Sequence, residues 1–100
     1  PVKAKTGSLK STAKGSFALK WKQDKKATGY IIQYSTDKRF EKNVKSTTVS
    51  SNRTTSKKIG KLKAGKKYYV RIRTYKNVKI NGKNTKLYSS WSGKKSVKTK

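Results

Sequence analysis

Leu62, Gly65 and Tyr68 stand at fixed spacing just ahead of a segment in which every second residue is of one kind. Tyr68, Val70, Ile72 and Thr74 alternate there with Tyr69, Arg71, Arg73 and Tyr75. In an extended chain successive side chains point to opposite faces, so the first set makes a core face and the second a surface face. A helix would scatter both sets around its circumference. The stretch 61–75 therefore demands a half-buried strand entered through a turn. A chain that contains it must also supply a second layer to cover Val70 and Ile72.

The rest of the chain repeats this pattern more faintly. Residues 16–22 place Phe17, Leu19 and Trp21 on one face, and residues 29–35 place Tyr30, Ile32 and Tyr34 on one face with Ile31 and Gln33 on the other. Segments 44–49 and 54–59 alternate weakly, as edge strands do. A last strand is expected near 94–99 around Val97, and a first, the faintest, near 2–9. Asn81-Gly82 favours a two-residue hairpin turn, because both residues tolerate positive φ. No window carries a 3.6-residue apolar repeat, and β-branched and aromatic residues dominate the apolar clusters. The expectation is an all-β, seven-stranded antiparallel immunoglobulin-like sandwich with lysine-studded edges that discourage strand addition.

Charge is the strongest argument against a folded chain. Twenty-nine Lys and Arg oppose three acids (Asp24, Asp37 and Glu41) for a net +26, and only 30% of residues are hydrophobic. Such a balance ordinarily indicates disorder. Here the apolar residues sit at alternate positions in discrete segments, and six Tyr and two Trp add large buriable area. Lysine stems also cover apolar surface while their heads stay in water. A folded domain is expected, with stability that rises with salt as self-repulsion is screened. One hundred residues suffice for one domain, 1–100, with one modest core. Because the chain opens on Pro1 and has no methionine, it reads as a piece of a longer multidomain protein. No apolar run approaches the roughly 18–20 residues that span a bilayer, so no membrane insertion is expected.

Four features together resemble a fibronectin type III domain of the lysine-rich kind repeated in bacterial surface and secreted proteins. They are Trp21 in the second strand, the Gly29–Ser35 strand, the Leu62…Gly65…Tyr68 element with Val70-Arg71-Ile72-Arg73 after it, and Tyr88-Ser-Ser-Trp91-Ser92. The resemblance implies a structural core of Trp21, Tyr30, Ile32, Tyr34, Leu62, Gly65, Tyr68, Val70 and Ile72. It implies that Trp21 fills the space between two sheets about 10 Å apart. Tyr68 would form a tyrosine corner, its hydroxyl bonding to backbone a few residues upstream. Trp91 would stack on Arg71 or Arg73. Ala64 stands where the family usually has proline, and the hairpin loop lacks an Arg-Gly-Asp tripeptide, so integrin-type adhesion does not carry over.

Catalysis finds little support. With no histidine or cysteine, no thiolate or imidazole exists to act as nucleophile, base or metal ligand. The three acids lie in separate polar segments, whereas a paired-carboxylate mechanism needs two about 5–10 Å apart. No enzyme, cofactor or metal site is expected. Lys–Asn isopeptide crosslinking needs a buried carboxylate that no inward strand position offers. Asn52-Arg53-Thr54 matches a glycosylation acceptor but reads more simply as a loop.

The basic surface is the remaining functional signal. Tyr69, Arg71, Arg73, Tyr75 and Lys83 form the candidate surface-binding set, since basic groups interleaved with rings can grip a polyanion. Lysine dominance favours general polyanion attraction over specific nucleic-acid recognition. The expected function is a monomeric, non-catalytic spacer or interaction module of a secreted or cell-surface protein, from a Gram-positive bacterium. It would work beside other domains of its chain and rest on anionic cell-wall polymers or polysaccharides. The alternatives are a dedicated polyanion- or carbohydrate-binding domain, or an accessory domain of a secreted enzyme.

Overall fold

The alternating segments pair into two antiparallel sheets. The computed structural model describes residues 4–100, which hold β1 (Thr6–Lys10), β2 (Phe17–Trp21), β3 (Gly29–Ser35), β4 (Lys45–Val49), β5 (Ser56–Ile59), β6 (Lys67–Ile80), β7 (Lys83–Tyr88) and β8 (Lys95–Lys98). One sheet runs β1-β2-β5; the other runs β4-β3-β6-β7, with β8 also paired to β6. The described residues contain no helix. The first strand begins at Thr6; Val2 and Lys3, also expected there, lie outside the described residues.

Eight strands appear where seven were expected. The additional one, β7, reads Lys-Asn-Thr-Lys-Leu-Tyr and has no buried residue. Its sequence lacks an apolar face, so nothing in the alternation marks it. It forms because Asn81 (φ 51°) and Gly82 (φ 76°) turn the chain back on β6, pairing Ile80 with Lys83 and Tyr75 with Tyr88. Strand β8 then pairs the start of β6, Tyr68 with Val97. Thus β7 and β8 share one edge of a fourteen-residue strand and occupy a single strand position between them.

The core lies between the sheets and comes from the residues that alternation selected. Phe17, Leu19, Trp21 and Ile59 from one sheet meet Tyr30, Ile32, Val49, Tyr68, Val70 and Ile72 from the other. Trp21 packs on Tyr30 with centroids 5.2 Å apart, and Phe17 meets Tyr34 edge-on at 5.8 Å. Leu62 and Tyr34 are part-buried against this cluster. Gly65 (φ 67°) turns the chain ahead of β6, and the Lys63 N–H donates to the Tyr68 hydroxyl at 3.0 Å, completing a tyrosine corner. The Tyr30 hydroxyl likewise staples loops: it accepts from the Asp24 N–H and donates to the Asn52 carbonyl, each at 2.8 Å. The Asn52 side-chain amide donates to the Lys25 and Ala27 carbonyls, so the nitrogen a glycan would need is already engaged.

Candidate functional site

The outer face of the larger sheet carries the arginines. Arg71 and Arg73 lie two apart on β6, opposite Gln33 and Ile31 of β3. Between β7 and β8 the chain leaves the ladder and arches outward, and four bonds to β6 hold the arch. The Ser89 N–H donates to the Thr74 carbonyl and the Ser92 N–H to the Ile72 carbonyl. In return the Ser89 hydroxyl accepts from the Thr74 N–H at 2.9 Å and the Ser92 hydroxyl from the Ile72 N–H at 3.0 Å. Two buried serine hydroxyls thus replace the main-chain acceptors that a continuous strand would have offered. This is the physical content of Tyr88-Ser-Ser-Trp91-Ser92: small hydroxyl residues keep the sheet bonded while Trp91 swings over it.

Trp91 reaches both arginines. The Arg71 guanidinium lies 4.5 Å from the Trp91 ring and 4.2 Å from Phe40, and that of Arg73 lies 4.3 Å from Trp91 and 4.1 Å from Tyr88. Phe40, Arg71, Trp91, Arg73 and Tyr88 therefore alternate ring and cation across the face. The Arg71 Nε donates to Gln33 Oε1 at 2.6 Å. Arg73 faces Ile31, which offers no acceptor, and its buried Nε has no protein partner among the described residues. Burial, then the charge of Arg73, lowers the Arg71 pKa from its ordinary value.

The candidate set divides in space. Tyr69 stays at the surface with the Lys67 ammonium 5.5 Å from its ring centre. Arg71 and Arg73 come together, with rings against both. Tyr75, expected on the surface, is only 3% exposed. Its cross-strand partner is Gly29, and the Tyr75 ring lies where a side chain there would be: a Cβ on Gly29 would sit 3.0 Å from Tyr75 Cε1. A bulky neighbour would have kept Tyr75 out; glycine lets the ring lie down. Lys83 closes the far end of the hairpin, five residues from Tyr88 and so about 17 Å along the strand from the arginine face. Sequence reading missed Phe40 and Tyr88 as ring partners. The Tyr88…Trp91 spacing was a usable signal for one of them; Phe40 arrives from a loop, and no periodicity points to it.

Two of the three acids, Asp37 and Asp24, serve local structure. Asp37 Oδ1 accepts from the Arg39 N–H at 3.0 Å, and Oδ2 accepts from Glu41 and Lys42 at 3.0 and 3.1 Å. These backbone donors, led by Arg39 and Glu41, lower its pKa from the ordinary value. Asp24 Oδ1 accepts from the Lys26 N–H two residues on, as an aspartate in a turn does. No cluster of three or more metal-ligating side chains occurs among the described residues.

Two facing antiparallel sheets, a tyrosine corner and a last strand broken by a serine–tryptophan arch define an immunoglobulin-like β-sandwich module. The chain belongs to the fibronectin type III domain family, whose model matches residues 5–94. Among solved structures, the FN1-FN3 domains of chicken CNTN1 superpose with a TM-score of 0.76 at 21% identity, covering 99% of this chain. This chain spans 32% of that one. The fn3 domain of human contactin 1 gives 0.68 at 15% identity, over 100% of this chain and 81% of the other. That of human collagen alpha-1(XX) gives 0.62 at 16%, over 87% and 79%. At such identities the likeness is one of fold. No curated protein matches the sequence. Fibronectin type III domains are generally non-catalytic modules of multidomain proteins.

Proposed function

We propose that this domain is a non-catalytic spacer or interaction module of a secreted or cell-surface bacterial protein, whose cationic surface associates with anionic polymers of the envelope. One observation carries the reading: every lysine among the described residues is exposed. With a net +26, the module presents point charges on nearly every strand and loop. Multivalent contact with a polyanion then adds many small, screened attractions, each lost as salt rises. The larger sheet's arginines contribute less, because rings lie against their guanidinium groups. A dedicated site on that face is therefore the weaker alternative.

Co-sedimentation of the domain with purified cell wall tests this. Binding is expected at physiological salt and should fall steeply as salt is raised. Absence of binding at physiological salt would overturn the reading. A loss on neutralising Arg71 and Arg73 that exceeds the loss from removing equal charge elsewhere would favour the dedicated arginine face.

A further inference from the structure

A concave site lies at the tyrosine-corner end of the sandwich, where the β3–β4 edge meets the β5–β6 loop. It is a cleft of about 370 Å³, within the range of small-ligand sites. Its floor is the apolar and aromatic surface of Leu62, Tyr34 and Tyr68, and its rim carries Lys45, Lys61, Lys63 and Lys66 with no carboxylate among the lining residues. We propose that this cleft binds a sulfate or phosphate ester group carried on a saccharide or polyol unit of a linear polyanion. The proposal rests on the polyanion-associating function above and gives it a location.

Three observations converge. First, four ammonium groups around one concavity repel one another with no internal counter-charge, and an anion entering it relieves that repulsion. Lysines can approach a tetrahedral oxyanion from several directions as point charges, whereas a planar carboxylate is better matched by the arginine fork, absent from this cleft. Second, two non-glycine residues on the walls, Asn43 (φ 52°) and Lys61 (φ 58°), hold left-handed backbone. For lysine this conformation is disfavoured, and such strain concentrates at functional positions. Third, the loop bearing three of the lysines is held rigid. The buried Thr99 hydroxyl donates to the Lys63 carbonyl at 2.6 Å and accepts from the Lys66 N–H at 3.1 Å. The Tyr68 hydroxyl secures the Lys63 N–H, and the Gly15 carbonyl accepts from the Leu62 N–H at 2.9 Å. The ammonium groups thus project from a preformed scaffold, which lowers the ordering cost of binding. Tyr34 lines the cleft, where its hydroxyl can meet a sugar or polyol hydroxyl.

Isothermal titration of the 100-residue domain at physiological salt is the test. The probes are a sulfated heparin-type tetrasaccharide, a glycerol phosphate tetramer, and an oligothymidylate of matched charge. One of the first two should bind with one-to-one stoichiometry and outcompete the oligothymidylate, and which of them binds more tightly separates a sulfated glycan from a polyol phosphate. Replacing Lys45, Lys61, Lys63 and Lys66 with Gln should weaken binding at least about tenfold. The same replacement at Lys10, Lys20, Lys57 and Lys58, all exposed on the other sheet, should cost about twofold. Tyr34→Phe should cost about threefold and provides the test if the fourfold cleft variant unfolds by circular dichroism. Equal losses in the two fourfold variants, or equal affinity for oligothymidylate, would remove the cleft as a site while leaving general polyanion association intact. Failure of the unaltered domain to bind any probe would remove both.

Discussion

The arginine face and the lysine cleft carry the same sign of charge and use it in opposite ways. On the face, Arg71 and Arg73 lie against rings, and Arg71 commits its Nε to Gln33. Their charge is turned inward, as a brace that fixes the Ser89–Ser92 arch to the sheet. In the cleft the ammonium groups belong to exposed lysines of β4 and of the β5–β6 loop, with no acid among the lining residues. Basic content alone therefore does not locate function in so cationic a domain. Guanidinium is planar and weakly hydrated, so it stacks; ammonium is compact and strongly hydrated, so it stays in water. The choice of base at each position separates structure from surface.

Removing the shared ring should break the brace most severely. Trp91→Ala deletes contacts to both guanidinium groups and is expected to lower unfolding free energy by about 2–3 kcal/mol in urea melts. Polyanion affinity should not fall. An unchanged midpoint would mean that the ring–cation ladder adds nothing to stability, and a large loss of affinity would mean that the face, not the cleft, binds.

Much of this architecture is legible in the amino-acid sequence. Alternation selects the buried residues of β2, β3 and β6, because burial on a sheet has a period of two and leaves that trace in sequence. Tyr68, three residues after Gly65, and Trp91, between Ser90 and Ser92, stand out because large aromatic residues in such settings have few alternative uses. What escapes has no local trace. Strand β7 is held by backbone pairing through a turn and needs no apolar face. Tyr75 obeys the alternation of a surface position, yet it is buried because the residue opposite is Gly29, forty-six positions earlier. The cleft joins lysines from β4 and from the β5–β6 loop, and no spacing rule connects those segments. In a chain with a lysine at every fourth residue on average, four that share a cavity look like any others.

Exchanging arginine for lysine on the face sharpens the contrast with charge held constant. Arg73→Lys keeps the charge but loses the planar group between Trp91 and Tyr88, at a cost of about 1 kcal/mol. Arg71→Lys should cost somewhat more, because the Gln33 bond goes as well. Chemical denaturation of the two variants in parallel measures the order. If both were neutral, a simple positive charge would suffice there, and the distinction between the two regions would fail.

The smallest expected effect lies where the regions meet. Asp37 organises the β3–β4 loop, which delivers Phe40 to Arg71 and, three residues later, Asn43 to the cleft wall. The Ser35 hydroxyl reinforces it, donating to the Lys42 carbonyl at 2.6 Å and accepting from the Asp37 N–H at 2.9 Å. Three backbone N–H groups favour the ionised carboxylate and hold its folded pKa below the ordinary value of 3.8. A depressed folded pKa contributes stability that is present in full above the unfolded value and disappears as pH falls through the folded one. The loop should therefore keep its order at neutral pH and loosen only below about pH 4. Asp37→Asn should remove that acid-dependent component, because an amide can neither ionise nor accept on both of its heavy atoms. Amide hydrogen exchange at Arg39, Glu41 and Lys42 reads this directly. Protection should hold down to about pH 4 and fall below it in the unaltered chain, and be low and nearly pH-independent in the variant, after correction for intrinsic exchange. If Phe40 and Asn43 loosen together in acid, one carboxylate secures the edges of both basic regions. If only one of them responds, the brace and the cleft are structurally independent, and affinity at the cleft can be altered without disturbing the arginine face.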